Sequence, residues 1–121
     1  MNKNNYKLGE SDVRPWGKWK VTAVGDGFIK KEIEVNPGEI LSLQRHDHRE
    51  EEWTIVKGQG CVTLNGKRHE ANVGDVFIIP VGAWHRLENI GKGALVCHET
   101  QTGDILDEND IERKEDKYAR K

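Results

Sequence analysis

Gly38-Glu39-Ile40-Leu41-Ser42-Leu43-Gln44-Arg45-His46-Asp47-His48-Arg49-Glu50-Glu51 is the stretch that decides the fold. Side chains on a strand alternate between faces, so residues two apart point the same way. Ser42, Gln44, His46 and His48 are therefore expected on one face, and Leu41 and Leu43 on the other. A polar, metal-ligating row opposite an apolar row predicts a strand whose inner face serves chemistry. Residues 48–50 are expected to turn, with Glu51 opening a return strand that Gly58 ends, because a tight turn favours an unhindered backbone.

Outward from there the pattern repeats. Gly74 is followed by Pro80, Gly82, His85 and Asn89, which predicts a strand, a Pro-x-Gly turn and a second strand carrying His85 inward. Glycine punctuates the middle of the chain, and short runs rich in Val, Ile, Thr and aromatics lie between. Many short strands joined by turns predict an all-β sandwich or barrel. Strands are expected over 18–24, 28–35, 40–46, 52–57, 61–64, 67–71, 76–79, 83–89 and 94–100. Asn65-Gly66 is a two-residue hairpin signal. Residues 1–13 read as an N-terminal arm and 14–103 as the barrel. Residues 104–121, which are highly charged, read as a turn followed by a short helix or an extended tail.

The 121 residues suit one domain. The net charge of −2, without a long basic stripe, argues against nucleic acid as a partner. No apolar run reaches the roughly 18 residues of a membrane span. Met1 to Glu10 lacks the apolar core of a signal peptide. Cys61 and Cys97 are expected as two free buried thiols, which suits a cytoplasmic chain.

Two imidazoles from His46 and His85, with oxygens from Glu51 and Gln44, would suit one borderline divalent ion with positions left open. Zinc is the first expectation; manganese, cobalt, iron or nickel also fit. A second frame reads His46-Asp47-His48 as a literal His-x-His with Glu52 beyond it. That frame breaks the spacing to Gly38 and Gly58, and His46 and His85 survive in either. A metal-free barrel with satisfied polar residues is the bland alternative. His69 and His98 lack ligand spacing.

The two motifs are those of the cupin superfamily, with Gln44 where many cupins have a first histidine. The chain thus resembles a cupin double-stranded β-helix, or jelly-roll barrel. Arg14-Pro15-Trp16-Gly17, the run from Leu41 to Arg49, and Pro80-Val81-Gly82-Ala83-Trp84-His85-Arg86-Leu87-Glu88-Asn89 resemble the C-terminal domain of type II mannose-6-phosphate isomerases. Glu99, Gln101, Gly103 and the run from Asp110 to Arg120 resemble that family's closing segment. The resemblance implies a metal-dependent aldose–ketose isomerase converting mannose 6-phosphate to fructose 6-phosphate. That domain is often fused to a sugar-nucleotide pyrophosphorylase. This chain has no room for one, so nucleotidyltransferase activity is not expected of it. Glu52 stands where the family has a histidine, which keeps a non-catalytic cupin binding a sugar or small acid open as the alternative. A metal-dependent oxygenase is a third reading, disfavoured by the Gln-x-His start.

Isomerisation needs a base near neutral pKa, for which His48 is the first candidate and Glu52 the second. The sugar phosphate needs a cation with directional donors; Arg49 and Arg86 flank the ligand motifs. Trp53, Trp84 and Phe77 read as packing. Trp16 and Trp19, with Val21, Phe28 and Ile29, are expected along an exposed barrel edge, which predicts a homodimer.

Overall fold

A computed structural model describes residues 3–117. Thirteen strands run in order: β1 (Lys3–Asn4), β2 (Ser11–Arg14), β3 (Gly17–Gly25), β4 (Phe28–Val35), β5 (Leu43–Arg45), β6 (Arg49–Lys57), β7 (Gly60–Leu64), β8 (Lys67–Ala71), β9 (Val76–Ile79), β10 (His85–Asn89), β11 (Leu95–Gly103), β12 (Ile105–Leu106) and β13 (Glu112–Glu115). Six form one sheet in the order β2-β3-β4-β11-β6-β9, and five form the facing sheet in the order β13-β5-β10-β7-β8. A short parallel pair joins β1 to β12. This is the expected all-β cupin jelly roll, and no helix occurs among the described residues.

Alternation builds the interior. On β4 the inward row is Ile29, Lys31, Ile33 and Val35; on β6 it is Arg49, Glu51, Trp53 and Ile55. Register with β11 stacks these rows into layers. Ile33, Cys97 and Ile55 share one; Lys31, Glu99 and Trp53 the next; Ile29, Gln101 and Glu51 the one after. The first layer is apolar, and Leu87, Val62 and Leu95 pack beside it in the core cluster. The next two admit charge. The barrel therefore has an apolar end that holds it together and a polar end that positions the site. Trp16, Trp19, Val21 and Ile29 are buried within this one chain, not on an exposed edge, so the reason for expecting a dimer through them falls away. Cys61 and Cys97 are free and buried.

Turns follow their chemistry. Asn65 (φ 48°) and Gly66 (φ 84°) close the β7–β8 hairpin. Gly82 (φ 79°) sits in the turn where Ala83 N–H donates to the Pro80 carbonyl. Gly82 N–H also donates to the His46 carbonyl at 2.9 Å, which ties the second motif to the first.

Three expectations change. The strand expected over 40–46 is hydrogen-bonded into the sheet only from Leu43 to Arg45, apart from a bridge between Ile40 and Glu88. β6 begins at Arg49, earlier than expected. Residues 104–117 form no helix. β12 and β13 return to the barrel, and β13 pairs with β5. Tyr118, Ala119 and Arg120, part of the closing-segment resemblance, lie outside the described residues.

Candidate metal centre

His46, Glu51 and His85 offer ligand atoms that all lie within 4.8 Å of one another, and all three side chains are buried. His46 follows β5, Glu51 sits on β6 and His85 opens β10. Two strands and the residue just after a third thus aim donors at one point. Glu51 Oε2 lies 3.2 Å from His46 Nε2, and Glu51 Oε1 lies 3.8 Å from His85 Nε2.

Backbone carbonyls set the tautomers. His46 Nδ1 meets the Asp110 carbonyl at 2.7 Å, and His85 Nδ1 meets the Ala83 carbonyl at 2.9 Å. A carbonyl only accepts, so each Nδ1 carries the proton and each Nε2 presents its lone pair to the centre. This is the second-shell arrangement that orients metal-binding histidines. His85 Nε2 is buried and has no hydrogen-bond partner. A buried acceptor left without a donor is costly, and a metal ion satisfies it. Burial, partly opposed by Glu51, lowers the His46 pKa to about 4, so the ring is neutral at pH 7, as a ligand must be. Burial alone would keep Glu51 protonated. Arg49 and the two imidazoles outweigh it and hold the carboxyl well below the usual range. Trp53 Nε1 donates to Glu51 Oε1 at 2.9 Å and fixes its orientation. The donor set therefore fits a divalent metal ion. Gln44 stands directly opposite His85 in register and lines the cavity that His46 and Glu51 also line.

The other expected residues are placed differently. Arg49 is buried at the centre. Its Nε donates to Glu51 at 2.8 Å, Nη2 to His46 Nε2 at 3.3 Å and Nη1 to the Asp107 carbonyl at 3.1 Å. It is thus the counter-ion of Glu51, not a free phosphate clamp. Arg86 faces away from the cavity, donating to the Leu41 carbonyl and Glu115. His48 is exposed, because β5 has ended by Arg45 and alternation no longer governs its direction. Glu52 lies on the outward face of β6 and is exposed. Neither candidate base lines the cavity, and the second ligand frame fails with them.

The sequence reading missed Lys31, Glu99, Gln101 and Glu108. Lys31 and Glu99 had a signal: each is a charged residue on the inward register of its strand, Lys31 in an otherwise apolar row. Glu99 is buried, and burial together with the nearby Glu51 pushes its carboxyl up to about 7. Glu108 had no local signal, since its partners lie far away in the chain.

The fold and this site define a cupin able to hold a metal ion. The family described as "Mannose-6-phosphate isomerase C-terminal" matches residues 1–116, and the chain belongs to it. The mannose-1-phosphate guanylyltransferase ManC of Salmonella typhimurium is 44% identical over 118 residues, covering 98% of this chain and 25% of that enzyme. The alginate biosynthesis protein AlgA of Pseudomonas aeruginosa is 44% identical over 107 residues, covering 88% of this chain and 22% of that protein. The Cnp3 cupin domain of Schizosaccharomyces pombe superposes with a TM-score of 0.64 at 25% identity, covering 71% of this chain and 65% of that one. The chain spans about a quarter of the length of the curated relatives it matches. No helix among the described residues is long and apolar enough to cross a membrane.

These relatives correct the expected activity. The matched enzymes are named for guanylyl transfer to mannose 1-phosphate, and the region they share with this chain is one part of a larger protein. A stand-alone mannose 6-phosphate isomerase is therefore not the reading they support. Nor do they favour a non-catalytic sugar-binding cupin, since the relatives so named are enzymes.

Proposed function

We propose that this chain is the mannose-phosphate cupin unit of a mannose-1-phosphate guanylyltransferase system. It holds zinc on His46, Glu51 and His85 with Gln44 beside them, and it works with the nucleotidyl-transferring unit, joined or separate. The observation that carries this is the 44% identity to such an enzyme over 98% of the chain. The buried His-Glu-His set supports it independently. A bound zinc ion would polarise a sugar oxygen and stabilise charge that develops on it.

The remaining work falls to the chain's own residues. Trp53 and Arg49 orient the Glu51 carboxylate. The carbonyls of Asp110 and Ala83 hold both imidazoles in the ligating tautomer. Glu99, on the cavity wall, can hold or release a proton at its carboxyl near neutral pH.

The test is calorimetric titration of mannose 1-phosphate and mannose 6-phosphate into the zinc-loaded chain, with plain mannose as control. The chain is then added to a guanylyltransferase lacking its cupin region. Metal-dependent binding of a mannose phosphate, stronger than that of mannose, and association with the truncated enzyme are expected. Absence of both overturns the proposal.

A further inference from the structure

Lys31 points into the barrel and is 5% exposed. Its ammonium lies 4.1 Å from the centroid of the Trp19 ring and 4.7 Å from that of Tyr6. Burying an ammonium demands an anion. That anion is Glu108, whose Oε2 lies 2.6 Å from Lys31 Nζ. The Tyr6 hydroxyl donates to the same oxygen, and Arg14 Nη2 lies 3.6 Å from the other. Burial opposes the charge on Glu108, but Lys31, the Tyr6 hydrogen bond and Arg49 together outweigh it and hold the carboxyl at about 2.

Glu108 belongs to a turn over the polar end of the barrel. Asp110 N–H donates to the Asp107 carbonyl there, and Asp107 accepts from Arg49. Asp110 accepts from the backbone of Asp47 and His48. The links of Asp107 and of the Asp110 carboxylate are polar, while the Asp110 carbonyl stays with His46 Nδ1 and anchors the turn, so the group to be displaced is the Glu108 side chain. Lys31, Arg14 and Glu108 line the same cavity as Gln44, His46 and Glu51. With the turn in place that cavity measures about 60 Å³, room for a few waters and too little for a hexose phosphate.

We propose that Lys31, Tyr6 and Arg14 form a phosphate subsite, and that Glu108 occupies it as a displaceable carboxylate until a phosphorylated ligand takes its place. An ammonium, a hydroxyl and a guanidinium converging on one carboxylate are the donors a phosphomonoester requires. The phosphate would then sit across the cavity from the metal ligands, with the sugar between. This placement rests on the mannose-phosphate reading.

The experiment is calorimetry on the zinc-loaded full chain, titrated with mannose 6-phosphate, inorganic phosphate and mannose. Glu108→Gln keeps the size of the side chain and one acceptor oxygen for Lys31 and Tyr6 but removes the competing charge. It should bind mannose 6-phosphate about tenfold more tightly than the parent, the scale of one charge-assisted hydrogen bond, and bind mannose no differently. Lys31→Met should weaken phosphate binding by about tenfold or more on the same scale. Arg14→Gln, at a more exposed position, gives a smaller loss in the same direction if Lys31→Met does not fold. Phosphate affinity unchanged in Glu108→Gln, or undiminished in both cation variants, overturns the subsite. If mannose 6-phosphate binds parent and variants equally, the mannose-phosphate reading stands and the subsite falls. If inorganic phosphate follows the expected order and mannose 6-phosphate binds no tighter than it, the subsite stands and the sugar reading falls.

Discussion

Gln44 on β5 stands directly opposite His85 on β10 in antiparallel register. Cross-strand neighbours share a face, with Cβ atoms about 5 Å apart. This one pairing joins the two sequence motifs, because it sets a residue of the first directly across from the buried imidazole of the second.

Metal content should therefore separate the residues at the centre from those outside it. His85→Ala and Glu51→Gln should lose the ion. Gln44→Ala should weaken binding by roughly 10- to 100-fold, as loss of a supporting group does. His48→Ala and Glu52→Gln should retain the parent's zinc stoichiometry by elemental analysis, because both side chains are exposed. Loss of zinc in His48→Ala would restore the His-x-His frame.

Glu99 should leave a signature in the pH dependence of stability. Burial, with Glu51 nearby, raises its carboxyl from 4.5 to about 7 in the folded chain. Between those values the folded state binds more protons than the unfolded one, so its contribution is fully present below about pH 4.5 and is lost as pH rises through 7. Glu99→Gln removes that loss. His46 acts in the opposite sense, but it is common to both proteins and cancels in their difference. In chelator-treated protein, the melting temperature of Glu99→Gln relative to the parent should climb from pH 4.5 to 7. A flat difference would place an ordinary carboxylate at Glu99.

Two glycines with similar backbone angles should differ in cost. Gly58 (φ 87°) would place an added Cβ 2.5 Å from the Ala94 carbonyl oxygen, whereas Gly66 (φ 84°) has nothing within 4 Å. Gly66→Ala pays only backbone strain, about 1 kcal/mol. Gly58→Ala adds a clash with rigid backbone and should cost roughly 2–3 kcal/mol or more. Urea denaturation of both variants checks the order, and equal costs would contradict the close approach.

Much of the fold was legible because strand alternation and turn chemistry are local. The strands at 28–35, 67–71 and 76–79 match the structure to the residue, and Asn65-Gly66 and Pro80-x-Gly82 turn where expected. Site residues were legible where a strand carried them: Glu51 and His85 follow the pleat. His48 was misplaced because alternation was extended beyond the end of β5. Arg49 was read as flanking the site, yet it opens β6 on the inward row. Lys31 and Glu99 were readable from the same alternation, had a charge on the inward face of a strand been treated as a site signal. Glu108 was not readable, since only the folded chain brings residue 108 to residue 31.

The central claim is a metal ion held by His46, Glu51 and His85 in a cavity that receives a mannose phosphate. Its most direct test is the visible spectrum of the cobalt-substituted chain during titration with mannose 6-phosphate. One cobalt should bind per chain, with absorption bands that shift saturably with mannose 6-phosphate and are lost in His85→Ala. Bands that persist in His85→Ala, or a spectrum indifferent to the sugar phosphate at millimolar concentration, would contradict it.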